Sequence, residues 1–93
     1  VKQVYKYDLA IEGGPSDIMM PRGAAILHVG HQGDPEVVHI WAMVDVSEPT
    51  TILKTFYVVG TGQDIPEPSR WQHIGTVVFA VDLVWHVFQE TIR

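Results

Sequence analysis

The sequence predicts an all-β protein, a small sandwich or partly open barrel of about six to seven antiparallel strands. Three observations predict it. Pro and Gly punctuate the chain at short intervals: Gly13-Gly14-Pro15, Pro21-Arg22-Gly23, Gly33-Asp34-Pro35, Glu48-Pro49 and Pro66-Glu67-Pro68. The stretches between them are rich in Val, Ile, Tyr, Phe and Trp, residues that suit a pleated, half-buried surface. No stretch keeps a helical apolar period over the usual length of a helix.

Each element follows from local pattern. Val4 to Ile11 alternates, with Tyr5, Tyr7, Leu9 and Ile11 on one face and Val4, Lys6, Asp8 and Ala10 on the other. That is a strand with one wet side. A short segment, Ile18 to Met20, leads into the Pro21-Arg22-Gly23 turn. The next strand is Ala24 to His31, followed by a turn at Gln32-Gly33-Asp34-Pro35-Glu36 and a return strand from Val37 to Asp45. A strand from Ile52 to Val59 ends at Gly60-Thr61-Gly62. A loop from Gln63 to Gln72 follows, and Ile74 to Phe79 with Leu83 to Gln89 closes the chain as a hairpin.

Length and composition narrow the function classes. The 93 residues make one domain, 1–93. Apolar residues at 46% and charged residues at 18% exclude disorder. Six Lys and Arg against eleven Asp and Glu leave a charge of −5, which argues against bulk nucleic-acid binding because that affinity rests on cationic contacts to phosphate. The absence of Cys removes disulfides, thiolate metal sites and a Cys nucleophile. No apolar run approaches a membrane span, and no signal peptide is read, so no membrane partner and a cytoplasmic location are expected.

Two strands depart from half-buried alternation. Val37 to Val44 carries Val38, Ile40, Ala42 and Val44 on one face and Val37, His39, Trp41 and Met43 on the other. Leu83 to Phe88 opposes Leu83, Trp85 and Val87 to Val84, His86 and Phe88. Strands apolar on both faces need cover on both. A homo-oligomer supplies it, and Val38, Ile40, Trp85, His86 and Phe88 are the expected interface.

Five histidines raise the question of metal. His28 and His31 have a metal-like spacing, but on a strand an odd spacing sends them to opposite faces. In the expected hairpin His31 opposes Val37 and Val29 opposes His39. His31 and His39 are then diagonal neighbours about 7 Å apart, with Asp34 as a third candidate ligand. A zinc site takes three or four ligands, so rim histidines are the preferred reading, and no cofactor is expected. His86, between Val84 and Phe88, reads as a core or interface histidine. Ser16, Ser47 and Ser69 lie in Pro/Gly-rich loops and not in a nucleophile elbow.

Three features suit ligand or partner binding. Gly60, Thr61 and Gly62 end a strand without a following helix, so they form a turn or a backbone-amide nest for an anion, not a P-loop. Arg70 and Trp71 sit in a loop stiffened by Pro66 and Pro68, and both residue types are enriched at binding hot spots. Trp71 has an alternative use as a lid on the core. Arg22, in its own turn, would complete an anion site if it converged with Arg70.

The chain resembles a family of small uncharacterised proteins encoded by bacteriophages and bacterial genomes. The residues that carry the resemblance are Tyr5-Lys6-Tyr7, Met20-Pro21-Arg22-Gly23-Ala24 with Ile26-Leu27-His28-Val29, and Trp41-Ala42-Met43-Val44-Asp45. They continue with Phe56-Tyr57-Val58-Val59-Gly60-Thr61-Gly62, Ile65-Pro66, His73-Ile74-Gly75-Thr76-Val77 and Trp85-His86-Val87-Phe88. Gln63 stands where relatives often carry His. The resemblance implies a phage or prophage origin and brings no catalytic residues.

The expected function is that of a non-enzymatic accessory binding protein of phage type. It would act stoichiometrically on a host defence component or sequester a small nucleotide signal. The alternatives are a metal-assisted hydrolase using His31, His39 and Asp34, and a structural virion or assembly protein.

Overall fold

Among the described residues seven strands build two antiparallel sheets packed face to face, a sandwich that does not close into a barrel. The computed structural model describes residues 1–34 and 37–91. Pro35 and Glu36, in the expected hairpin turn, lie outside the described residues. The strands are β1 (Lys2–Ala10), β2 (Ser16–Pro21), β3 (Ala25–Gly30), β4 (Val37–Asp45), β5 (Thr51–Gly60), β6 (Trp71–Ala80) and β7 (Leu83–Glu90). One sheet has the order β1-β4-β3 and the other β2-β5-β7-β6.

The core lies where the alternating apolar faces meet. Leu9, Val38, Ile40, Ala42 and Val44 from the first sheet pack against Met20, Phe56, Val58, Val77 and Val87 from the second. The alternation read in β1 holds: Leu9 is fully buried, while Lys6 and Asp8 on the other face are exposed. The sheets approach most closely where β3 faces β6. A Cβ built on Gly75 would lie 1.9 Å from the Val29 Cγ2 methyl, so only glycine fits there.

Bulges set which side chains reach which face. β3 slips one residue between Ile26 and His28, leaving Leu27 outside the ladder and exposed. β6 slips between His73 and Gly75 and again between Val78 and Ala80. The crossover from β4 to β5 is fixed by Asp45. Its Oδ1 accepts from the Ser47 N–H at 3.0 Å and the Ser47 hydroxyl at 2.7 Å, an Asx turn.

Several expected boundaries change. The segment at Ile18 to Met20 is part of a full edge strand, β2, paired with β5 from Ser16 to Pro21. Trp71 is not in a loop. A short 3-10 turn, Pro68–Arg70, ends the loop and β6 begins at Trp71.

Candidate functional site

The sequence-derived site residues fall in two places. Gly60, Thr61 and Gly62 lie where β5 leaves the sheet, with Gly60 opposite Trp85. Arg70 and Trp71 lie at the other end, with Trp71 opposite Glu90. Trp85 and Glu90 are five residues apart along β7, about 17 Å of strand. The glycine turn and the Arg70-Trp71 pair therefore belong to different sites.

Arg22 and Arg70 are both already engaged. Arg22 donates to the Glu48 carboxylate at 3.5 Å, and its backbone N–H donates to the Thr50 carbonyl at 2.8 Å. These bonds tie the β2–β3 turn to the crossover before β5. Arg70 donates to Glu90, lies 3.7 Å from the Glu67 carboxylate, and stacks 5.0 Å above the Trp71 ring. The bond to Glu90 is the main reason its pKa is raised. Trp71 is buried, stacks on Tyr57 at 5.4 Å and donates its indole N–H to the Pro66 carbonyl at 3.1 Å. Of its two expected uses, the structure places it as a lid on the sheet.

The expected His31–His39 pair does not form. Gly30 faces His39 and Val29 faces Ile40, so the hairpin register is one residue off the expected one. A slip of one residue moves a side chain to the other face. His31 turns toward Phe79 of the second sheet, 4.6 Å between ring centroids, and its Nδ1 accepts from the Gly33 N–H. His39 is buried on the outer face, bonded to Asp8 through Nδ1 at 2.7 Å and set edge-on against Trp41. His28 also lies against Trp41, at 5.6 Å between ring centroids. Among the described residues no group of three or more His, Asp or Glu side chains converges to hold a metal ion.

The interface residues divide in the same way. Val38 and Ile40 are 0% exposed in the chain's own core, which leaves them no surface to share with a second copy. Trp85 packs against the same core. His86 and Phe88, of opposite parity, face outward on the β5-β7-β6 surface.

That surface carries a relay that sequence reasoning missed. The Thr61 hydroxyl bonds His86 Nε2 at 2.8 Å, and Thr76 bonds His86 Nδ1 at 3.2 Å and His73 Nε2 at 2.9 Å. Phe88 lies edge-on beneath His73 at 5.4 Å. Spacing alone puts His73 and Thr76 on opposite faces, but the bulge at Ile74 brings both outward.

Beside the relay, where the β6–β7 hairpin turn overhangs the end of β5, lies a half-open cleft of about 470 Å³. Gly60, Thr61, Gln63, Asp82, Val84 and Trp85 line it. Gly62 holds φ at 90°, as a type II turn requires at that position. The turn folds the Gln63 side chain back, so that its Oε1 accepts the Gly60 N–H at 2.8 Å. One of the three amides expected to form an anion nest, that of Gly60, is thereby satisfied within the chain.

Fold and site together define a small two-sheet antiparallel β-sandwich with a polar cleft at one end of its larger sheet. The chain belongs, over residues 1–93, to the family described as a domain of unknown function (DUF7352). No curated protein and no solved structure matches it. Among the described residues no helix is long and apolar enough to cross a membrane.

Proposed function

We propose that this chain is a non-enzymatic binding module of phage type, acting stoichiometrically as a homo-oligomer on a basic protein partner, a host defence component, in the bacterial cytoplasm. The observation that carries this reading is the state of the arginines. Arg22 and Arg70, on which capture of an anionic nucleotide would depend, are each paired with a carboxylate and do not meet the glycine turn. With a net charge of −5, the chain is electrostatically matched to a positive protein surface and not to free phosphate. Exposed Val4, Leu27 and Met43 on the smaller sheet and Val78 on the larger one supply apolar surface for contact.

Native mass spectrometry of the untagged protein, alone and after capture from host lysate, tests the reading. It expects a symmetric oligomer and one basic partner in fixed ratio, released by salt as screening weakens the attraction. A lone monomer with no partner, or catalytic consumption of a substrate by the pure protein, would overturn it.

A further inference from the structure

Resting on the homo-oligomer of the proposed function and naming its interface, we infer that the free edge of β1 is the docking surface for a second copy of this chain. The two β1 strands pair antiparallel about a two-fold axis through Tyr5 and join the smaller sheets of the two copies into one continuous sheet. Four strands lie at sheet edges, and three of them are interrupted or short among the described residues. β3 carries a bulge between Ile26 and His28, β6 slips twice, and β2 spans six residues and ends in Pro21. Bulges, proline and short length are the ordinary means of keeping an edge from pairing. β1 has none of them. It runs nine residues, Lys2–Ala10, without Gly or Pro and in unbroken register with β4.

Hydrogen-bond parity fixes which groups that edge offers. The Val46 N–H donates to the Val1 carbonyl at 3.0 Å, which makes Val1 and Val46 a bonded pair in the register of β1 and β4. Antiparallel ladders alternate, so Gln3, Tyr5 and Tyr7 bond to β4, while Lys2, Val4, Lys6 and Asp8 point their N–H and C=O groups out of the sheet. An axis at Lys6 would set that charge against its own copy. An axis at Tyr7 would carry the second strand past Ala10, where the chain leaves β1 for β2 in the other sheet. An axis at Tyr5 opposes Lys2 to Asp8 of the second copy and Val4 to Lys6, within a stretch that holds no buried residue. Opposite charges directly across a strand pair attract. Asp8 gives one carboxylate oxygen to His39 at 2.7 Å and, 67% exposed, keeps the other for Lys2 of the second copy. On the opposite face Tyr5, 40% exposed and 6.4 Å from Tyr7 between ring centroids, meets its own symmetry mate, and aromatic cross-strand pairs are stabilising.

The chain has no Cys, so single introduced cysteines report the register. Tyr5→Cys places two Cα atoms about 4.5 Å apart in a non-bonded pair, within disulfide reach. Gln3→Cys and Tyr7→Cys place theirs about 13 Å apart along the strands, outside it. Under mild oxidation Tyr5→Cys should become a covalent dimer while the other two stay thiols. In the parent, sedimentation velocity should show a dimer, and the outward Val4 and Lys6 amides should be protected from hydrogen exchange. Val4→Pro should give a folded monomer, since the N–H it removes points away from β4. Lys2→Glu sets like charges together at two symmetry-related places and should weaken the dimer about tenfold. Val78→Glu, on the larger sheet, should leave it intact. A parent that stays monomeric overturns both this interface and the homo-oligomer. An oligomer that resists Val4→Pro, exchanges its Val4 and Lys6 amides freely, or cross-links through Tyr7→Cys and not Tyr5→Cys overturns this interface alone.

Discussion

Gly75→Ala is the sharpest perturbation the fold offers. The added Cβ would sit 1.9 Å from Val29 Cγ2 and 3.3 Å from Val29 Cβ, against an ordinary contact of 3.4 Å or more. Val29 cannot swing away, because it is buried in β3 among core side chains. The two sheets must part locally by about 1.5 Å, or β6 must lose its ladder with β7. Overpacking of this kind costs about 1–3 kcal/mol. In a chain of 93 residues each kcal/mol lowers Tm by about 4–8 °C, so a loss of about 4–24 °C is expected by calorimetry. The mechanism is tested by a double-mutant cycle. Val29→Ala alone leaves a cavity and destabilises by about 1–3 kcal/mol. Gly75→Ala added to it finds the space already cleared, so the double variant should be more stable than the summed losses by about 1 kcal/mol or more. A Gly75→Ala variant that melts within a degree or two of the parent would refute the argument for close sheet approach. Strict additivity with Val29→Ala would refute its assignment to this contact.

Three further outcomes follow from hydrogen bonds. Asp45 has its pKa lowered from 3.8 to about 2, chiefly by the Ser47 hydroxyl and amide. Its folded pKa lies below the unfolded value, so its contribution is complete above pH 3.8 and disappears as pH falls through about 2. Urea titrations should show a shallower acid loss in Ser47→Ala than in the parent across that window; identical slopes would remove Ser47 as the cause. Trp71→Phe keeps a ring on Tyr57 but loses the bond to the Pro66 carbonyl, and should cost about 1–2 kcal/mol in urea unfolding. Asp8→Ala strips the buried His39 ring of its carboxylate acceptor and should cost about 1–3 kcal/mol, with Asp8→Asn milder because it still accepts. Equal losses in the two Asp8 variants would show that the carboxamide cannot serve.

How much was legible in the sequence depends on whether a strand is regular. β4 is read to the residue, Val37 to Asp45, because seven of its nine residues are apolar and only His39 interrupts them before Asp45 and its Asx turn. β2 is read as a fragment because half of it, Ser16-Asp17 and Pro21, carries no β signal; its pairing with β5 supplies the strand. The histidines mark where the reading stops. A strand has period two, so any single extra residue inverts every later inference about faces. The His31–His39 pair fails by one residue of register in the hairpin. The His73–Thr76–His86 relay is hidden by one bulged residue at Ile74. The cleft depends on a side chain folding back, Gln63 onto Gly60, which has no sequence signature.

The same parity argument turns the oligomer into a decidable question. Strands apolar on both faces suggested one shared interface of Val38, Ile40, Trp85, His86 and Phe88. Val38 and Ile40 lie in the core, so Val38→Ala should lower Tm without a specific effect on assembly. His86 and Phe88 face outward on the larger sheet, and Val78, 63% exposed, shares that face. If this face is the one buried between copies, Val78→Glu should dissociate the oligomer with little change in Tm at fixed monomer state. A carboxylate there would be desolvated opposite its own symmetry mate, between chains that already carry −5 each. Burying such a charge without a partner costs about 2 kcal/mol or more, at least tenfold to a hundredfold in dissociation constant. Sedimentation velocity over a concentration series reads the difference directly. An oligomer that survives Val78→Glu unchanged must assemble through the Val4, Leu27 and Met43 face of the smaller sheet or through a strand edge, and Met43→Glu would then be the variant that separates it.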